Sequence, residues 1–377
     1  MKKVLIMPDS YKGTLSAIQI CDIMKECILE HFPKCETIAI PIADGGEGTV
    51  DSFLYAMNAE KIMVETTNAL GEPILTYYAK VKDTAIIEMA CAAGLPQVEG
   101  RLNPRRATTY GVGTIIQHAI EHNCKHIILG LGGSCTNDGG IGAALALGTI
   151  FYNQKDEPFI PCADTMTEIK YIDNRVTKRL LSGCKVTAMC DIKNPLYGPN
   201  GAAYIFSPQK GADPETVKLL DQNLIALSEV IKTSFQKDVS NIPGAGAAGG
   251  FGAGVIAFFN GTLTSGIDTI LDLIQFETLL ENADMIFTGE GRIDRQSLGG
   301  KVVIGIGERA KQKQIPVIVI AGSVADNIKE AYHMGISAIF SINQQAMDFS
   351  QSRYFSDINL RHTMDNLLRF YKTISCQ

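Results

Sequence analysis

The chain has 377 residues, with 34 basic and 40 acidic side chains, a net charge of −6, and 46% hydrophobic against 20% charged residues. That length and balance allow two or three domains with sizeable cores and exclude a disordered chain. No basic block interleaved with aromatics occurs, which argues against a nucleic-acid partner.

The start, Met1 to Asp9, is basic but carries only a stub of apolar residues, short of the roughly 7–15 that a secretory segment uses. No stretch reaches the ~20 apolar residues of a membrane span. The ten cysteines are scattered without C-x-x-C pairs or zinc spacing. We expect reduced core thiols in a cytoplasmic protein.

Val4–Met7 reads as a strand. Ser16 with Gln19 forms a capping box, and Ile20, Ile23, Met24, Cys27 and Ile28 follow at helical spacing. Thr37–Pro41 is the next strand, and Val50–Met57 the next helix. This β-α-β-loop-α opening favours a parallel sheet covered by helices. Residues 61–82 read as partly antiparallel, turning at Gly71–Glu72–Pro73. Ala85–Glu88 and Val186–Met189 read as buried strands, and Pro195, Pro199, Pro208 and Pro214 as irregular connections. Towards the C-terminus, Met285–Thr288, Pro316–Ala321 and Ala338–Ser341 read as strands and Val302–Lys311 as a helix. The expected fold class is α/β, with two α/β domains. One is a Rossmann/flavodoxin-like parallel sheet built from both chain ends (1–62 plus 284–377), and the second is inserted (63–283).

Polar, glycine-rich loops follow the strand ends, the edge of a parallel sheet where ligands bind. After the first strand, Asp9–Ser10–Tyr11–Lys12 supplies a point charge for phosphate or carboxylate, with Asp9 and Ser10 able to orient it. In Asp44–Gly45–Gly46–Glu47–Gly48, two carboxylates flank glycines, suiting water-mediated Mg²⁺ or a polyol; a tight turn with first-turn acids is the alternative, but three glycines exceed what a turn needs, which favours function. The run Gly132–Gly133–Ser134–Cys135–Thr136–Asn137–Asp138–Gly139–Gly140–Ile141–Gly142 lies between a strand at 126–131 and a helix start. Its free N–H groups and helix dipole favour an anion. Asp191 ends another strand, where a carboxylate can take a hydroxyl proton or simply cap the strand.

Other patterns point away from chemistry. Gly244 to Gly249 matches G-x-G-x-x-G, but no βαβ unit frames it, so close approach of backbone to a ligand or a helix fits better. His118, His122 and His126 have helical metal spacing, yet Asn123 and Cys124 end the helix and His126 begins a strand. There is no Walker A lysine motif, no protein-kinase signature and no Gly-x-Ser-x-Gly.

Five segments taken together resemble one family, the bacterial glycerate kinases of type 1. They are PDSYKGTLSA (8–17), PIADGGEGTVD (41–51), GGSCTNDGGIGAALALG (132–148), CDIKNPLYGPNGAAYIFSPQKGA (190–212), and the stretch from GAGAAGGFGAG to TGEGRIDRQSLGGK (244–301). Cys135 departs from the alanine or serine expected there, which raises the question of oxidation. The resemblance implies transfer of the ATP γ-phosphate, with Mg²⁺, to D-glycerate at its 2-hydroxyl (the 3-hydroxyl is the other choice). It also implies two α/β domains with the active site in the cleft between them.

Within that frame the candidate cations are Lys12, Arg292 and Lys301, with the Arg292 fork suited to a glycerate carboxylate. Asp191 and Asp294 compete as proton acceptor, Asp191 being preferred. Substrate or phosphate contacts are expected from Asp9, Ser10, Asp44, Gly45, Gly46, Glu47, Gly133, Ser134, Thr136, Asn137, Gly139 and Glu290, and a Mg²⁺ or water contact from Asp138. Two other functions stay open at this level: a nicotinamide-dependent oxidoreductase of a small hydroxy acid, and a non-catalytic ligand-binding protein.

Overall fold

The computed structural model describes residues 1–375 except Asp44, Glu47, Glu99, Gln296 and Gly300. The chain divides into two compact units: residues 1–44, 51–58 and 266–377 form the first, and 45–50 with 59–265 the second.

The first unit is built on a five-stranded sheet, all of whose pairings are parallel. Across the sheet the strands run Glu36–Ala39, Lys3–Pro8, Met285–Gly289, Val317–Ala321, Ile336–Ser341. Numbered along the unit, this is the order 2-1-3-4-5 of the flavodoxin-like doubly wound fold. Val4, Leu5, Ile6 and Met7 are all fully buried, as expected of a central parallel strand covered on both faces. Ser16 caps the helix Ala17–His31 with the expected box to Gln19. That helix shares one core with Val4, Ile6 and the helix Ser356–Ser375, whose Leu360, Met364 and Leu368 are fully buried. Strand and helix expectations in this unit hold to within a few residues. The terminal helix was not anticipated.

The second unit carries a six-stranded mixed sheet. Its strands Thr84–Glu88, His126–Gly130, Lys185–Met189 and Thr262–Thr264 pair in parallel. Glu60–Thr67 and Pro73–Val81 join as the expected antiparallel hairpin.

The unit boundaries differ from 62/63 and 283/284 for identifiable reasons. Residue 60 pairs with Lys80 in the hairpin register, which carries 59–62 into the second unit. The helix Gly266–Leu273 buries Ile267, Ile270 and Leu271, and Ile267 sits where Gly305 of the Val302–Lys311 helix leaves no room for a side chain. That packing holds 266–283 in the first unit. Pro214 is also not an irregular connection. It opens the 22-residue helix Pro214–Phe235, capped by the Asp213 carboxylate accepting from the Thr216 N–H at 2.7 Å. Among the described residues, no helix is long and apolar enough to cross a membrane.

Candidate active site

In the first unit the chain order reverses between the Lys3–Pro8 and Met285–Gly289 strands, the switch point at which doubly wound sheets bind ligands. The loops leaving these strands, Asp9–Lys12 and Glu290–Arg292, line one cavity of about 520 Å³. Backbone pairing places them: the Asp9 N–H donates to the Gly289 carbonyl at 2.8 Å, and Gly289 leaves no space for a Cβ beside the Ile320 carbonyl. Tyr11 is buried and donates its hydroxyl to that same carbonyl at 2.7 Å, while its N–H closes a tight turn onto Leu15, leaving Lys12 exposed at the tip. Arg292–Ile293 forms a short parallel ladder with Ser323–Val324, which holds the second loop.

The cavity thus brings together Asp9, Ser10, Lys12, Glu290, Arg292 and Lys301. Arg292 Nε lies 3.5 Å from Asp294 Oδ2, an exposed and therefore weak pair. Lys301 precedes the helix Val302–Lys311 in extended conformation, at the end where the helix dipole repels a cation and attracts an anion. Asp9 Oδ1 accepts from the Ser10 N–H at 2.6 Å. Glu290 is the unusual group: its Oε1 is buried without a hydrogen-bond partner. Burial, the largest effect, pushes its carboxyl up to about 7, helped by the Asp9 and Asp294 charges and opposed by a Ser297 hydrogen bond and Lys301. The far wall of the cavity is apolar, with Ile342, Met347 and Phe349. These three had no signal in the sequence reading.

In the second unit, the loop between the His126–Gly130 strand and the short helix Ile141–Ala146 is nearly sealed. Ser134, Thr136, Asn137 and Asp138 are all buried. The glycines serve close backbone approach. The Gly132 N–H donates to the Gly45 carbonyl at 3.1 Å, and a Cβ on Gly132 would lie 2.6 Å from the Gly46 Cα. The Gly133 carbonyl accepts from Leu95, and Gly139 N–H donates to the Gly249 carbonyl at 3.0 Å. The glycine-alanine run therefore packs backbone to backbone on this loop. It opens the helix Ala247–Phe258 with Ala248, Gly249 and Gly250 at positive φ, and forms no dinucleotide turn.

Asp138 occupies the place expected for a bound anion. Its carboxylate accepts from the Thr109 N–H and hydroxyl, each at 2.8 Å, and from the Gly140 and Gly142 N–H groups, each at 3.1 Å. Thr109 Oγ1 in turn accepts from Ala143 N–H at 2.9 Å. The first N–H groups of the helix are thus satisfied inside the fold, so this helix start is no open phosphate site. Burial pushes the Asp138 carboxyl up, against the lowering effect of those donors. With both oxygens engaged, it does not offer itself to Mg²⁺.

The sequence reading gave no role to Lys210. Its ammonium is fully buried and donates to Ser134 Oγ at 2.9 Å and to the Thr136 carbonyl at 2.6 Å. Burial lowers it to about 8, with Cys135 and Asp138 holding it up. It stands in the segment Gln209–Lys210–Gly211–Ala212, where nothing local marks it as buried. Cys135 is itself sealed, and burial pushes its thiol up to about 11 despite Lys210.

Asp191 is exposed just beyond the Lys185–Met189 strand. Asp44 and Glu47 lie outside the described residues. Among those described, no group of three or more His, Cys, Asp or Glu is arranged to hold a metal. The histidines behave as read: His118 and His122 stack at 4.0 Å, while His126 starts the strand and meets Thr187 Oγ1 at 2.9 Å.

Comparison with known proteins agrees along nearly the entire chain. The family model described as Glycerate kinase family matches residues 4–372. A glycerate kinase of Bacillus cereus (strain ATCC 10987 / NRS 248) is 45% identical over 376 residues, 99% of each chain. The glycerate 2-kinase of Escherichia coli (strain K12) is 40% identical over 343 residues, 90% of each. A crystal structure described as a glycerate kinase 2 of Salmonella typhimurium LT2 superposes with a TM-score of 0.89 at 36% identity, covering 100% of both chains.

Proposed function

The chain belongs to the glycerate kinase family, and from that premise we propose that it transfers the γ-phosphoryl group of ATP to the 2-hydroxyl of D-glycerate. The observation that carries this reading is the switch-point cavity, where Lys12, Arg292 and Lys301 meet Asp9 and Glu290. Phosphoryl transfer is chiefly positioning and charge neutralisation, so a site for it needs several cations around one polyphosphate. The volume suits a small-molecule ligand. Lys301 and the start of its helix favour the same negative charge. Ile342, Met347 and Phe349 supply an apolar wall for a nucleobase.

Mg²⁺ typically takes one or two carboxylates, with water and substrate phosphates completing its shell. The unpartnered buried Glu290 Oε1, with Asp9 beside it electrostatically, fits that donor set. Glu290 and Asp9 would hold the ion, which would neutralise phosphate charge. In this reading Arg292 serves phosphate oxygens rather than the glycerate carboxylate.

The glycerate hydroxyl oxygen attacks the γ-phosphorus, the bond to the β,γ-bridging oxygen breaks, and ADP leaves. Asp191 accepts the hydroxyl proton, with Asp294 as its competitor. Loss of a positioned acceptor costs about 10²–10⁴-fold in rate. Asp191→Asn is therefore expected to lower kcat on that scale while Asp294→Asn does not; the reverse pattern would transfer the role.

The overall test is an ATP-consumption assay across small hydroxy acids, with proton-coupled ³¹P NMR of the product. A doublet from the single C2 proton is expected. A triplet would place the phosphate on C3, and no turnover of D-glycerate would overturn the reading.

A further inference from the structure

The Lys210 environment is costly as it stands. A fully buried ammonium normally has an ionised partner, because an unpaired buried charge is heavily penalised. Among the described residues no carboxylate lies within ion-pair distance of Lys210; its two hydrogen-bond acceptors, Ser134 Oγ and the Thr136 carbonyl, are neutral. An ammonium has three N–H donors, so one is left over. The same loop holds three more buried polar atoms without partners: Thr136 Oγ1 and both Asn137 Oδ1 and Nδ2. Such groups are rare in native folds and call for an explanation. Their concentration beside one unpaired cation points to a ligand carrying an anion and hydroxyls.

We infer that Lys210, Ser134, Thr136 and Asn137 form the subsite for the carboxylate and hydroxyls of a small hydroxy acid, with Lys210 as a positioning residue that acts through Ser134. Ser134 Oγ already accepts from Lys210, so its own proton is turned to another acceptor, and the ammonium behind it strengthens that donation. Asn137 offers a donor and an acceptor on one amide, which matches a hydroxyl in either role. Asp138 acts on Lys210 without a hydrogen bond to it, so the third N–H of the ammonium is left to one ligand carboxylate. The ammonium does not balance a polyphosphate, for which the first unit gathers Lys12, Arg292 and Lys301 in its own cavity. The identity of the acid as glycerate rests on the function proposed above; the carboxylate subsite itself does not.

The test uses the full chain and two variants, Lys210→Met and Ser134→Ala, with steady-state kinetics and ligand-induced thermal shifts. The KM for D-glycerate is expected to rise tenfold or more in both variants, with the KM for ATP within twofold of wild type. D-glycerate should raise the Tm of the wild-type protein and not that of Lys210→Met. Without ligand, Lys210→Met should melt no lower than wild type, since it removes an unpaired buried charge at similar volume. A lower unliganded Tm with both KM values unchanged would make Lys210 merely structural. Loss of stabilisation by tripolyphosphate in place of D-glycerate would make this a phosphate site, and the inference would fall. Should Lys210→Met not fold, an unchanged glycerate KM in Ser134→Ala would overturn it equally well. If the wild-type protein fails to phosphorylate glycerate, the functional reading fails alone. The subsite would then stand or fall on whether D-lactate, a simpler hydroxy acid, stabilises the wild-type protein and not the Lys210→Met variant.

Discussion

Asp138 and Thr109, 29 residues apart in the chain, are joined by two hydrogen bonds of 2.8 Å, one from the Thr109 N–H and one from its hydroxyl. With the Gly140 and Gly142 N–H groups they enclose a carboxylate that a reader of the loop would offer to a metal. Asp138→Ala leaves these buried donors without an acceptor and is expected to cost roughly 3 kcal/mol of stability. Urea denaturation measures the loss. The Mg²⁺ concentration giving half-maximal activity should not move. A variant of native stability with a raised Mg²⁺ requirement would restore the metal role.

Glu290 gives a pH-dependent prediction. Its carboxyl is raised to about 7 in the folded protein from an ordinary value of 4.5, so the folded state holds this proton more tightly than the unfolded chain. Its contribution to stability is full below about pH 4.5, is lost as pH rises to about 7, and changes no further above that. Glu290→Gln removes the titration. In Mg²⁺-free buffer the variant should be more stable than wild type at pH 8, by at most roughly 3 kcal/mol, and the gain should shrink towards pH 5. Urea midpoints at the two pH values decide it, and a pH-independent difference would contradict the assignment.

Gly249 is a steric constraint. A Cβ there would lie 2.1 Å from the Thr136 carbonyl oxygen, and the residue has φ of +66°. Gly249→Ala is expected to destabilise by about 3 kcal/mol or more, through overpacking and backbone strain together. Gly299→Ala is the control, since no atom lies within 4 Å of its added methyl. Thermal melts of the two variants should separate clearly; equal Tm values would mean that the loop yields.

Cys135 should be chemically silent. It is 1% exposed, and burial pushes its thiol up to about 11, which suppresses the reactive thiolate. Brief iodoacetamide treatment of the native protein, followed by mass spectrometry, is expected to leave it unlabelled. Among the described residues, the half-buried Cys91 and Cys162 should react before Cys135, Cys184 and Cys190, whose thiols burial pushes up to about 11. Early labelling of Cys135 with loss of activity would show that oxidation at this position matters after all.

Much of the scaffold was readable because its signals are local. Apolar runs such as Val4–Met7 and Met285–Thr288, the Ser16–Gln19 box and the hairpin turn at Gly71 each act within a few residues. The polar strand-end loops at Asp9–Lys12 and Glu290–Arg292 could be read as site material for the same reason. What they line could not, because strand pairing is non-local: Lys3–Pro8 lies beside Met285–Gly289 across most of the chain's length. Only that pairing creates the switch point and gathers Lys12, Arg292, Lys301 and Glu290 around one cavity.

The glycine loop at 132–142 shows the other side of this division. The sequence alone established that it is a tight, polar strand-to-helix turn, because glycine spacing and flanking apolar runs are chain-local properties. Its occupant was a tertiary matter. Burial and hydrogen-bond satisfaction depend on which distant groups arrive, and here Thr109 arrives to hold Asp138 while Lys210 arrives under Ser134. A side chain's chemistry is written in the chain, but its desolvation and its partners exist only once the fold has closed around it.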